Sequence, residues 1–405
     1  MTKTIAIIGG GPAGLMAAEM ISNKLPKCEI TIYDAMPSLG RKFLMAGKSG
    51  LNISHNEEME LFLQRFGKAA DKLAPALKNF TAEDIREWAG ELGIVTFVGT
   101  SGRVFPTGYK AAPLLRSWLR RLRAHGVMTK TRHKWRGWGE GNGLLFSTEN
   151  GQIEIKADAT ILALGGASWP KLGSDGSWVP YLQNKGITLS PLRPANCGFN
   201  VDWSDFFRNK FEGEPVKSCQ LSFAHHKLTG DFVITKYGIE SGPIYNLSAN
   251  LRDKIDAEGN AVLMLDLLPH KDASDLTQLL ARPKGSQSMA THIKKVTGLI
   301  GVKAGLLREC LSKETFNNPA LLAQGIKCLP VTLTSPRPMA EAISTAGGID
   351  LDELNDGFML KRQPGIFCVG EMLDWEAPTG GYLLTACMAQ GRSAGIAASQ
   401  WVIDK

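Results

Sequence analysis

A short apolar run, Thr4-Ile5-Ala6-Ile7-Ile8, enters Gly9-x-Gly11-x-x-Gly14 without a spacer, and helical apolar spacing follows to about Lys24. Residues 29 to 33, Glu-Ile-Thr-Ile-Tyr, read as the next strand, and Asp34 ends it. This is a βαβ unit of the usual ~30 residues. Each glycine has a mechanical reason: Gly9 for the tight turn, Gly11 for close approach of a pyrophosphate, Gly14 for packing helix on strand. Pro12 and Ala13 fill the first helical turn, where free N–H groups and the dipole favour an anion. Asp34 is placed to accept hydrogen bonds from ribose hydroxyls. The pattern predicts a bound dinucleotide without separating NAD from FAD.

A distant segment makes that distinction. Residues 365 to 386 contain a buried strand, then Gly370-Glu371 and Asp374, then Gly380, Gly381 and Tyr382 at the start of a helix. FAD is long, so a second segment must return to hold its ribityl and isoalloxazine parts. Asp374 suits the ribityl or pyrophosphate region. The helix opening at Gly380-Gly381 would aim N–H groups at the pyrimidine edge, where negative charge appears on reduction.

The remaining chain predicts a discontinuous layout. Helical spacing runs from Glu57 to about Leu92 and again from Pro113 to Ala124, where Leu114, Leu115, Trp118, Leu119 and Leu122 share a face. Residues 157 to 164 read as a strand ending at Gly165 and Gly166, where the sheet resumes, and Gly165 joins the expected cofactor contacts. Short alternating runs from about Pro191 predict an antiparallel β region, and residues 271 to 327 turn helical. The expected domains are 1–190 with 335–405, then 191–270, then 271–334.

Composition narrows the setting. With 43% hydrophobic and 21% charged residues the chain reads as folded. No stretch has the ~20 apolar residues of a membrane span. The glycines interrupt a start that otherwise imitates a secretory signal. Seven scattered cysteines without a C-x-x-C pair predict free thiols in a reducing, cytoplasmic setting and no metal site. The net charge of +7 resides in one place: Arg116, Arg120, Arg121, Arg123, Lys130, Arg132, Lys134 and Arg136 fall together with no acid among them.

Taken in order, G-G-G-P-A-G, G-R-K-F-L-M-A-G at 40 to 47, N-I-S at 52 to 54, G-R-V-F-P, G-G-A-S-W-P, T-K-Y-G-I-E-S-G-P at 235 to 243, G-E-M-L-D and T-G-G-Y resemble the bacterial YhiN-like and BaiN-like family of FAD flavoproteins. The resemblance implies an α/β fold: a Rossmann-like FAD-binding domain with an inserted β-barrel-like domain and a small helical domain. It also implies that Arg41 and Lys42 lie by the FAD phosphates or adenosine, and Asn52 near the flavin. The chain departs from the family pattern at several points. Leu51 stands where the family commonly has a thiol, in Gly47-Lys48-Ser49-Gly50-Leu51-Asn52; Lys236 replaces a usual His; Glu240 is an extra residue; and Leu383 replaces an Asn.

Three functions are compatible with this pattern. The first is an FAD-dependent oxidoreductase moving hydride between NAD(P)H or oxygen and a small unsaturated or amine substrate. Only one dinucleotide fingerprint is present, so NADPH or NADH would act as an external reductant by transient docking. The second is reduction of uridine to dihydrouridine in ribosomal RNA, with Arg116, Arg120, Arg121, Arg123, Arg132, Lys134 and Arg136 as phosphate contacts and Trp118, Trp135 or Trp138 as stacking surfaces. The third is a non-catalytic FAD-binding redox sensor. Leu51 cannot donate the proton that reduction of a double bond requires, which leaves Lys48, His55, Lys236, Tyr237 and Glu240 as candidate proton donors or substrate contacts.

Overall fold

The computed structural model describes residues 2–48 and 50–405. Met1, in the N-terminal run, and Ser49, in the departure at 47 to 52, lie outside the described residues. The chain divides into two compact units, Met1–Arg193 with Ile343–Lys405, and Pro194–Ala342.

The first unit is organised by a five-stranded parallel sheet in the order Ile366–Cys368, Ala159–Leu162, Thr4–Ile8, Glu29–Tyr33, Met128–Lys130. Ile5, Ile7, Ile8, Ile32, Ile161 and Phe367 are buried, as continuous apolar strands must be when helices cover both faces. The helix Pro12–Lys24 packs on the C-terminal helix Tyr382–Asp404. Their approach depends on small residues: a Cβ at Gly391 would lie 2.2 Å from the Ala13 carbonyl oxygen. The helix Ala111–Ala124 buries Leu114, Leu115, Trp118 and Leu122, the apolar face expected from its spacing.

The second unit contains a seven-stranded sheet whose recorded pairings are antiparallel, in the order Leu329–Leu333, Ala261–Asp266, Pro215–Phe223, His226–Ile234, Gly238–Glu240, Phe199–Asn200, Ser335–Pro336. Its helices do not form the separate domain expected at 271–334. Leu276, Ile293, Leu306 and Leu322 from the helices share one core with Val216, Leu221, Phe232 and Leu263 from the strands. The boundaries accordingly fall after Arg193 and Ala342 instead of after 190 and 334. Periodicity detects where strand gives way to helix, but a shared core joins the two.

Among the described residues no helix is long and apolar enough to cross a membrane. All seven cysteines are free, and no cluster of metal-ligating side chains is present among the described residues.

Candidate functional site

The fingerprint glycines serve two different purposes. Gly9 has φ +110°, and a Cβ there would lie 2.1 Å from the Ala163 carbonyl oxygen; one at Gly14 would lie 2.0 Å from the Gly9 oxygen. Both are demanded by the protein's own packing. A Cβ at Gly11 meets nothing within 4 Å. It would instead project into a groove of about 200 Å³. The helix beginning at Pro12 has no side-chain cap and no acid in its first turn, so its free N–H groups and dipole favour an anion there.

Gly9, Gly11, Pro12, Ala13, Asp34, Arg41, Lys42, Gly165, Gly370 and Glu371 all line this groove. Asp34 accepts backbone hydrogen bonds from Gly10 and Met36, each 2.8 Å. Burial pushes its carboxyl above the ordinary range, and these N–H bonds, from Met36 and then Gly10, partly offset that. Each carboxylate oxygen keeps a lone pair for a further donor. Arg41 Nε and Ser174 Oγ are buried without a partner, and both residues line the groove. An unsatisfied buried polar group costs about 1–3 kcal/mol. Such atoms in a mostly apolar cleft fit a ligand that brings its own phosphate and hydroxyl groups, as FAD does.

Within the same lining, Lys42 Nζ donates to Glu371 Oε2 at 2.5 Å and to Ser168 Oγ at 2.6 Å. Glu371 Oε1 accepts the Thr345 N–H at 2.9 Å. Val369, Trp375, Leu383, Leu384 and Cys387 also line the groove. Burial, with Glu371 second, raises the Cys387 thiol to about 12.

The sequence matches the HI0933-like protein Rossmann domain over residues 3–397. The chain belongs to this HI0933-like family. It is 27% identical to a 3-dehydro-bile acid delta(4,6)-reductase of Clostridium scindens over 98% of this chain and 99% of that protein. It is 22% identical to a ribosomal RNA dihydrouridine synthase of Haemophilus influenzae over 93% of each. The solved open conformation of a flavocytochrome c3 fumarate reductase shares its fold, with TM-score 0.56 and 15% identity over 100% of this chain and 79% of that one. The HI0933-like chain thus has a Rossmann-type fold of the FAD flavoprotein kind.

Several expected contacts of this HI0933-like protein do not line this groove. Asp374 does not line the groove; its Oδ2 accepts the Ser190 hydroxyl at 2.5 Å. Glu371, three residues earlier, occupies the groove wall. Gly380, Gly381 and Tyr382 are also absent from the lining. A Cβ at Gly381 would lie 2.4 Å from the Ser54 carbonyl carbon and oxygen, so this glycine serves packing. Asn52 is not a lining residue either, although its Oδ1 is buried without a partner. Sequence reasoning missed Ser38, Phe43, Ser174, Trp375, Leu383, Leu384 and Cys387 as lining residues. Nothing in their spacing marks them, since they meet only through the fold.

The candidate proton donors are dispersed. Lys48 is exposed on the turn after the helix Arg41–Ala46. His55 stacks on Tyr382 with ring centroids 5.2 Å apart. Tyr382 Oη donates to Glu57 at 2.6 Å, and Arg65 also holds Glu57, at 2.8 Å. Burial would raise Glu57, but the Arg65 and Tyr382 hydrogen bonds keep it below the usual carboxylate range. Burial holds His55 below the ordinary histidine value despite the nearby Glu57. Leu51 is fully buried. Lys236, Tyr237 and Glu240 belong to the second unit, on the turn and strand after His226–Ile234. There Arg337 covers the Tyr237 ring at 4.1 Å, and burial, then Glu341, raises the Glu240 carboxyl.

The basic segment is only partly free. Glu19, 1% exposed, accepts Trp118 Nε1 at 2.6 Å, Trp88 Nε1 at 3.1 Å and Arg121 at 2.7 Å. Arg132 pairs with Glu149, Lys134 with Asp175, and Arg136 bonds Ser147. Trp118 and Trp135 are buried, so neither is a stacking surface for bases. Arg116, Arg120 and Arg123 are exposed and form no ion pair among the described residues.

Proposed function

We propose that this chain is an FAD-dependent reductase that delivers hydride to a carbon–carbon double bond of a small unsaturated molecule, with NADPH or NADH as external reductant. The observation that carries the reading is the single groove built jointly by the glycine turn, Asp34 and the Val369-Gly370-Glu371 segment. The full-length relationship to a bile-acid reductase supports a reductive direction and a small substrate.

Bound FAD supplies the two-electron hydride chemistry, which no side chain of the chain can provide. The chain's residues bind and orient. Backbone around Gly11 and the Pro12 helix terminus would hold the pyrophosphate, with Arg41 Nε as a further donor. Asp34 would hold ribose hydroxyls, and Ser174 would add a neutral partner. Phe43, Leu383 and Leu384 supply apolar lining that excludes water from the groove. Leu51 offers no proton; of the sequence candidates, His55 keeps an Nδ1 buried without a partner, although its ring does not line the groove.

Flavin content of the purified protein, followed by anaerobic mixing with NADH and NADPH, tests the reading. Bleaching by one nucleotide and recovery on addition of a conjugated enone are expected. A flavin that neither nucleotide bleaches refutes the reductase role, and oxygen-dependent turnover of an amine replaces it with an oxidase.

A second reading rests on the exposed, unpaired Arg116, Arg120 and Arg123 and on the relationship to an RNA dihydrouridine synthase. In this reading the three arginines contact phosphate, and the substrate is a uridine of ribosomal RNA. Replacing all three with Gln should flatten the salt dependence of RNA binding by about three phosphate contacts. An unchanged slope, or unaltered dihydrouridine in the ribosomal RNA of a deletion strain, removes this reading.

A further inference from the structure

The groove carries four charged side chains, and they divide by partner. Asp34 accepts the Gly10 N–H of the glycine turn and Arg41 donates to Ser38, where the fingerprint places ribose and phosphates. Lys42 and Glu371 are joined to each other, and Glu371 belongs to the C-terminal segment that the sequence assigns to the ribityl and isoalloxazine parts. Arg41 and Lys42 are sequence neighbours at the start of one short helix, yet only Lys42 is tied to the C-terminal segment.

The tie is thoroughly braced. Glu371 holds Lys42 through one carboxylate oxygen and the Thr345 N–H through the other. Ser168 Oγ accepts a second bond from Lys42. Thr345 Oγ1 in turn accepts the Ala167 and Ser168 N–H groups at 2.9 and 3.2 Å. The Lys42 and Glu371 side chains are 27% and 13% exposed, so solvent screens them less than a surface pair. An ion pair fixed in a largely apolar groove wall is a means of adjusting the charge felt by whatever the groove holds.

We propose that Glu371 is a positioning residue that fixes Lys42 beside the flavin half of the cofactor, and that the two together set its reduction potential. This rests on the FAD reading above. Uptake of two electrons and one proton leaves the oxidised flavin with one additional negative charge. The Lys42 ammonium stabilises that charge, and the Glu371 carboxylate opposes it, so the pair holds the potential between the values either residue alone would give.

The test is the midpoint potential of bound FAD, measured anaerobically by stepwise dithionite reduction against a reference dye. Glu371→Gln leaves Lys42 uncompensated and should raise the potential. Lys42→Met leaves the carboxylate alone and should lower it, while Lys42→Arg should stay near wild type. A tenfold change in the reduced-to-oxidised equilibrium, about 30 mV for a two-electron couple, is expected in each direction. A merely structural role would weaken FAD retention in both variants without opposite shifts in potential. Shifts of the same sign, or an unmoved potential in Glu371→Gln with FAD still bound, overturn the proposal while leaving the FAD reading intact. If Lys42→Met loses its cofactor, the sign in Glu371→Gln and the value in Lys42→Arg decide. Wild-type protein that binds no FAD overturns the FAD reading itself and the proposal with it.

Discussion

Two parts of the groove lining are built by different means. The glycine part is made from backbone: a Cβ at Gly9 or Gly14 would lie 2.1 or 2.0 Å from a carbonyl oxygen, while Gly11 leaves open space. The other part is made from side chains, with Lys42 joined to Glu371 across most of the chain length and apolar residues of the C-terminal helix in the same lining. A backbone cradle tolerates almost no substitution but discriminates little among dinucleotides. A side-chain wall can be retuned one residue at a time, and that is where members of one family can diverge in chemistry while keeping one cofactor.

Gly11→Val attacks the backbone part and should have the largest effect. It should lower FAD affinity by about 100-fold or more while leaving thermal stability nearly unchanged, because the new side chain meets ligand space and not protein. Normal flavin content in the purified variant would break the contrast at once. Gly381→Ala should do the reverse. At φ +102° and 2.4 Å from the Ser54 carbonyl, the added Cβ should cost about 2–3 kcal/mol of stability by urea denaturation. An unchanged midpoint would show that the C-terminal helix does not rest on Ser54. Asp374→Ala should have the smallest effect, about 1 kcal/mol from the lost Ser190 hydrogen bond, with FAD affinity within about twofold of wild type. A large loss of FAD affinity would return Asp374 to the cofactor site and blur the distinction between the two parts.

The same contrast appears in the basic helix. Its spacing correctly indicated an apolar face, and Trp118 is buried on it. What the sequence could not show is that Glu19, on the helix after the glycine turn, gathers Trp118 and Arg121 into a buried polar cluster. Burial of a carboxylate requires such partners, and they lie about a hundred residues away in the chain. Arg121 is therefore a structural cation, whereas Arg116, Arg120 and Arg123 are left facing solvent.

Local order was legible from the chain alone because its causes are local. A strand ending in Gly9-x-Gly11-x-x-Gly14 and an Asp34 at the end of the next strand specify a dinucleotide turn through steric limits within about thirty residues. The separate strand, Gly-Glu pair and glycine-headed helix near the C terminus likewise pointed to FAD. The tertiary structure decided which members of those motifs face the groove. Glu371 and not Asp374 lines it, Gly381 packs on Ser54, and Lys42 is bound to a partner 329 residues distant. These outcomes depend on which way a side chain leaves the backbone and on what another segment places opposite it, and a one-dimensional spacing carries neither quantity.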